Sequence, residues 1–119
     1  MNAAGRVYVR DPWGTLLCTK KKRIETASFS LPHRFMGVWL HVQNEHKQTI
    51  GAVVFDSTTH YHAADAFDRD FWKHKVPPDS RFHFNNRTRT HGWHVADAVL
   101  FDTPRAALGM RGAFRLELY

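Results

Sequence analysis

Asp11-Pro12-Trp13-Gly14-Thr15-Leu16-Leu17-Cys18-Thr19-Lys20-Lys21-Lys22-Arg23-Ile24-Glu25-Thr26 is the stretch whose reading decides the fold. Asp11 has the side chain of an N-cap, and Pro12 suits the first helical position, where a missing N–H leaves nothing unsatisfied. Trp13, Leu16 and Leu17 then fall at i, i+3 and i+4, one apolar face of a short helix ending near Thr19 or Lys20. The cations Lys20, Lys21, Lys22 and Arg23 follow, where positive charge complements the helix macrodipole. From Lys22 to Phe29 the spacing becomes that of a strand, with Ile24, Thr26 and Ser28 on one face and Arg23, Glu25, Ala27 and Phe29 on the other. A straight strand would aim Lys22 and Glu25 apart. Lys22 is therefore expected in the bend between helix and strand, where its ammonium can share a recess with the Glu25 carboxylate.

Working outward, Arg6 to Arg10 alternates basic and apolar residues as a half-buried strand does. Met36 to Gln43 and Ile50 to Ser57 are apolar runs joined by the polar turn Asn44 to Gln48, which predicts antiparallel neighbours. Ile50 to Phe55 is continuously apolar and expected to be buried on both faces, with Gly51 marking a bulge or a close backbone approach. Ala63 to Lys75 has helical spacing, with Asp65 as cap and Pro77-Pro78 as stop. Trp93 to Phe101 and Gly112 to Tyr119 complete the strands. Five or six short strands with two helices predict a single α+β domain over residues 1–119.

At 119 residues, 43% of them hydrophobic and 13% aromatic, the chain can bury a core without disulfides or metal. Nothing approaches a membrane span, and Met1 to Arg6 lacks the apolar centre of a signal peptide, so the expected location is the cytoplasm, with no membrane partner. The lone Cys18 fits a reducing compartment and, beside Leu17, reads as a buried thiol. With 17 Lys and Arg against 11 Asp and Glu, the net charge of +6 favours an anionic partner. Gly-rich phosphate loops and a Gly-x-Ser-x-Gly elbow are absent, and no cofactor is expected.

The Lys22-x-x-Glu25 spacing after a Pro-Trp helix, followed by Pro32-His33-Arg34, resembles the ASCH family of the PUA-like superfold. Ile50-Gly51-Ala52-Val53-Val54, Gly92-Trp93-His94-Val95 and the run from Pro104 through Gly109-Met110-Arg111-Gly112-Ala113-Phe114 extend the resemblance over nearly the whole chain. Lys22, Glu25 and Arg34 match the family pattern, whereas Lys20 and Ala27 stand where it has a glycine and an arginine. The resemblance implies a PUA-like open β-barrel of mostly antiparallel strands with two flanking helices. Its members include nucleic-acid binders, ribonucleases and an amidohydrolase acting on acylated cytidine.

Lys22 and Glu25 are the candidate catalytic pair, either a surface salt bridge or, in a cleft, groups able to hold phosphate or position water. The candidate nucleic-acid contacts are Lys20, Lys21, Lys22, Arg23, Arg34, Arg81, Arg87, Arg89 and Trp93. The last four belong to or follow the loop Arg81 to His91, whose interleaved arginines and aromatics suit single-stranded nucleic acid, although Phe82, Phe84 and Trp93 also read as core. His60 and His62 share a strand face and, with His41, could form an open zinc site, but no carboxylate stands at ligand spacing and no metal is expected. The sequence thus predicts an RNA or single-stranded nucleic-acid binder with a cleft between the first helix and the barrel. An ASCH-type hydrolase is the alternative, and a module for an acidic protein partner the third reading.

Overall fold

The computed structural model describes residues 3–86 and 89–106, together with the backbone of 115–118. Six strands, β1 (Gly5–Val9), β2 (Ile24–Ala27), β3 (Trp39–Gln43), β4 (Gln48–His60), β5 (His91–Ala106) and β6 (Arg115–Leu118), form one sheet in the order β2-β5-β4-β3-β1-β6. The pairs β2–β5, β5–β4 and β4–β3 are antiparallel, whereas β1 runs parallel to both β3 and β6. Register shifts at Thr49/Gly51, Val54/Phe55 and Phe55/Ser57 bend the long β4–β5 pair, because each bulge adds twist to one strand. The sheet curls until its end strands, β2 and β6, approach each other. This is the α+β half-barrel that the resemblance implied, with the parallel pairings of β1 making mixed a sheet expected to be mostly antiparallel.

Among the described residues three short α-helices accompany it: α1 (Trp13–Cys18), α2 (Ala64–Arg69) and α3 (Phe71–His74). Asp11 is not the cap of α1, since Pro12 occupies that position without a side-chain hydrogen bond. The Asp11 carboxylate instead accepts from the Thr15 hydroxyl at 3.2 Å and the Asn44 amide at 3.2 Å, tying α1 to the β3–β4 turn. The predicted second helix is divided at Asp70, which ends α2 and precedes α3. Its cap position is held by Ala63, while Asp65 lies in the first turn and accepts from the Ala66 N–H. Among the described residues no helix is long and apolar enough to cross a membrane.

The main core includes Val7, Val9, Leu17, Leu40, Val42, Val53, Phe55 and Trp93. Cys18 fixes α1 against β4: a Cβ on Gly51 would lie 2.2 Å from the Val99 carbonyl oxygen and 2.7 Å from Cys18 Sγ. Only glycine fits there, as the sequence suggested. Burial, reinforced by the charge of Asp11, pushes the Cys18 thiol up to about 12, which makes it inert packing material. A smaller cluster of Tyr61, Phe67 and Val76 covers the other face of the β2–β5 end. It sits over Gly92, where a Cβ would come 2.8 Å from Ile24 and 3.1 Å from Tyr61.

Candidate functional site

The backbone after α1 resolves the odd spacing of Lys22 and Glu25. Lys20 adopts a left-handed φ of 63°, and the Lys22 N–H turns back to the Leu16 carbonyl. Lys22 therefore lies in the bend, and β2 begins two residues later at Ile24. Both Lys22 and Glu25 are fully buried. Lys22 Nζ donates to the His74 carbonyl at the end of α3. Glu25 stands opposite Trp93 in the β2–β5 register.

The cleft expected between α1 and the barrel is closed by Cys18 against Gly51. The pair instead occupies ground between the start of β2, α3 and the loop leading into β5. Neither Glu25 oxygen accepts a hydrogen bond among the described residues. The Thr26 amide weakly favours the ionised carboxylate but falls short of hydrogen-bond geometry with either oxygen. Burial pushes Glu25 up to about 7, opposed by the positive charges of Lys22 and Arg89. Burial likewise draws Lys22 below the ordinary lysine range, against the attraction of Glu25 and with help from the like charge of Lys75. An acid near neutrality beside a lysine of lowered basicity is suited to proton transfer.

Arg89 joins two regions that were separate in the sequence reading. Its charge acts on Glu25, and its guanidinium lies 4.8 Å from the centre of the Phe82 ring, which also carries Arg81 at 4.6 Å. Arg89 thus supplies a cation near Glu25, while Ala27 is buried in the core.

The other candidates are dispersed. Lys20 is exposed and pairs with Asp97 at 3.0 Å; Lys21 and Arg23 are exposed, on either side of the inward-turned Lys22. Arg34 lies over the Phe35 ring at 4.8 Å. Arg87 falls outside the described residues. Trp93 is fully buried, its indole N–H donates to the Phe29 carbonyl at 3.1 Å, and its ring meets Phe29 and Phe55 edge-on. It therefore presents no face to a base, which corrects its candidacy as a nucleic-acid contact in favour of the core reading.

Sequence reasoning missed the partners of Lys22 and its surroundings. Tyr61 O–H donates to Asp70 at 2.6 Å, and His74 Nε2–H donates to the Phe67 carbonyl at 2.7 Å while Nδ1 accepts from the Val76 N–H at 2.9 Å. Burial brings His74 down to about 4, so it is the neutral ring that makes these bonds. The helical spacing of Phe67 and His74 was the available signal. Of the three histidines considered together, His41 packs edge-on against Phe101, whereas His60 meets His62 and stacks on His91. Among the described residues no group of three His, Cys, Asp or Glu side chains is placed to hold a metal ion.

A curled mixed sheet flanked by short helices, with a lysine and a glutamate buried at the entry to its edge strand, defines an α+β half-barrel of the PUA-like class. Its fold is that of an ASCH domain. The structure of ASCH from Zymomonas mobilis superposes with a TM-score of 0.71 at 13% identity, covering 88% of this chain and 75% of that one. Two single-residue variants of that protein superpose with TM-scores of 0.69, at 11% and 12% identity, covering 89% and 84% of this chain and 78% and 73% of theirs. No family model and no curated protein sequence matches the chain.

Proposed function

We propose that this ASCH-fold domain binds RNA or another single-stranded nucleic acid at the mouth of the Lys22–Glu25 recess. The observation that carries the reading is the position of Arg89, which sits on the Phe82 ring beside Arg81 and acts electrostatically on the buried Glu25. Guanidiniums on an aromatic ring offer a strand both phosphate contacts and flat surface for stacking. The net charge of +6 gives long-range attraction of the same sign.

Binding to single-stranded RNA should fall steeply with salt and weaken in Arg81→Ala and Lys21→Ala. Affinity indifferent to salt and to both changes would remove the reading. Protonating Glu25, near pH 7, takes a negative charge from the recess, so affinity should rise as pH falls from about 8 to about 6. Glu25→Gln should remove that component while leaving any contribution from surface histidines.

One observation favours a second reading, a hydrolase of the ribonuclease or modified-nucleoside amidohydrolase kind: the Glu25 carboxyl combines burial, no hydrogen-bond partner among the described residues, and a pKa of about 7. Glu25 would carry protons and Lys22 would stabilise developing negative charge. Lys22→Ala should then abolish turnover of RNA or an N-acylated nucleoside in a protein that still folds. Turnover surviving that change would exclude these roles.

A further inference from the structure

Beside the Ile24–His94 pair of β2 and β5, one register step from Glu25 and Trp93, a groove of about 210 Å³ is lined by Arg23, Ile24, Trp72, Lys73, His94 and Val95. Trp72 is 62% exposed, the most exposed large apolar side chain among the described residues. Lys73 Nζ lies 5.1 Å from the centre of its ring. The lining holds no carboxylate, and neither Arg23 nor Lys73 forms an ion pair among the described residues.

The floor is fixed by backbone. The Arg23 N–H donates to the Lys73 carbonyl at 2.7 Å, and the Val95 N–H donates to the Arg23 carbonyl at 3.0 Å. His94 is held through its Nε2 contact with Thr59 Oγ1 at 2.6 Å. A largely exposed indole with one lysine over its ring thus shares a backbone-tied groove with Arg23.

We infer that this groove is a second nucleic-acid contact, in which one unpaired base of a single strand stacks on Trp72 while Arg23 and Lys73 take the flanking phosphates. The ligand class follows from three properties of the groove. Its volume is below that of a drug-sized pocket and suits one flat ring. Its aromatic wall rewards any π-face irrespective of sequence. Its charge is of one sign, which fits a polyanion. The inference rests on the proposed function for the choice of nucleic acid, but it uses none of the residues assigned to the recess mouth.

The test is titration of a labelled short oligoadenylate against the full chain, read by anisotropy and by tryptophan emission. Trp72→Ala should lose about tenfold in affinity, whereas Trp72→Phe, which keeps a ring, should stay within about threefold. Base-induced quenching of emission should disappear in both. Wild-type affinity in Trp72→Ala overturns the inference. If Arg81→Ala still weakens binding in that case, the recess-mouth reading survives alone. If the wild-type chain binds no oligoadenylate, both readings fall. A polyglutamate peptide that displaces the oligonucleotide through Trp72 would overturn nucleic acid as the occupant in favour of an acidic protein segment.

Discussion

The two faces of the β2–β5 end both bury ionisable side chains, and they treat them differently. On the outer face, Tyr61, His74 and His83 each have a close partner: Asp70 for Tyr61, the Phe67 carbonyl and Val76 N–H for His74, and Asp68 at 2.6 Å with the Asn85 N–H at 3.1 Å for His83. On the inner face Glu25 is as deeply buried, yet its carboxylate accepts no hydrogen bond among the described residues. Burial with complete partnering builds structure, because each polar group recovers what it loses on leaving water. Burial without partners holds a group away from its preferred protonation state, and that displacement is available to chemistry or to a ligand. Lys22 links the two faces, since it interacts electrostatically with Glu25 and donates to the His74 carbonyl.

The comparison breaks first, and with the largest effect, at His74. His74→Ala removes a buried ring stacked 4.1 Å from Phe67, strands the Val76 N–H and takes one of two donors from the Phe67 carbonyl, which keeps the Asp70 N–H at 3.1 Å. The expected loss is about 3–5 kcal/mol in denaturant unfolding. A loss below about 1 kcal/mol would show that the outer-face network is not structural.

Glu25 should produce an effect of similar size but through pH. Its folded pKa of about 7 lies above the ordinary 4.5, so between these values the folded state holds more protons than the unfolded one. The Glu25 contribution to stability is therefore fully present below about 4.5, declines as pH rises through 7 and then levels, a change on the order of 3 kcal/mol. Glu25→Gln should remove this slope. His74, displaced downward to about 4, contributes in the opposite sense between about 6.5 and 4. Lys22, displaced downward, contributes the opposite slope at higher pH, below the ordinary lysine value of 10.5.

Tyr61→Phe sharpens the contrast on a smaller scale. It deletes one hydrogen bond to a half-buried Asp70 and should lower stability by about 1 kcal/mol, measurable as a shifted denaturation midpoint at constant slope. The smallest effect belongs to Trp72, whose exposed ring has little to lose on folding. Trp72→Ala should move stability by less than about 0.5 kcal/mol, leaving binding as its only strong phenotype.

Much of this arrangement was legible in the sequence where neighbouring residues determine it. Two apolar runs joined by a short polar turn gave β3 and β4 as antiparallel partners, Gly51 marked the close approach to α1, and the odd separation of Lys22 and Glu25 required the bend that Lys20 provides. The insertion of β1 between β3 and β6 through parallel pairing had no local signal. Local spacing also suggested one helix from Ala63 to Lys75, but the chain breaks it at Asp70, whose carboxylate accepts from Tyr61.

The site divides along the same line. Lys22 and Glu25 could be found because they are three residues apart, while the His74 carbonyl lies 52 positions from Lys22 and was invisible to spacing. Arg89 was chosen for its loop's composition, and only the fold carries its charge to Glu25. The groove at Trp72 escaped notice because its helical neighbours resembled core. Exposure, which a sequence does not state, distinguishes Trp72 from the buried Phe67.

The most direct measurement is a carbon-detected NMR titration of the Glu25 side-chain carboxyl in the intact chain, repeated with saturating single-stranded RNA. The account predicts a midpoint near 7 in the free protein and a higher one with the polyanion bound, because nearby phosphate disfavours the carboxylate. A midpoint near the ordinary 4.5, unchanged by RNA, would contradict it.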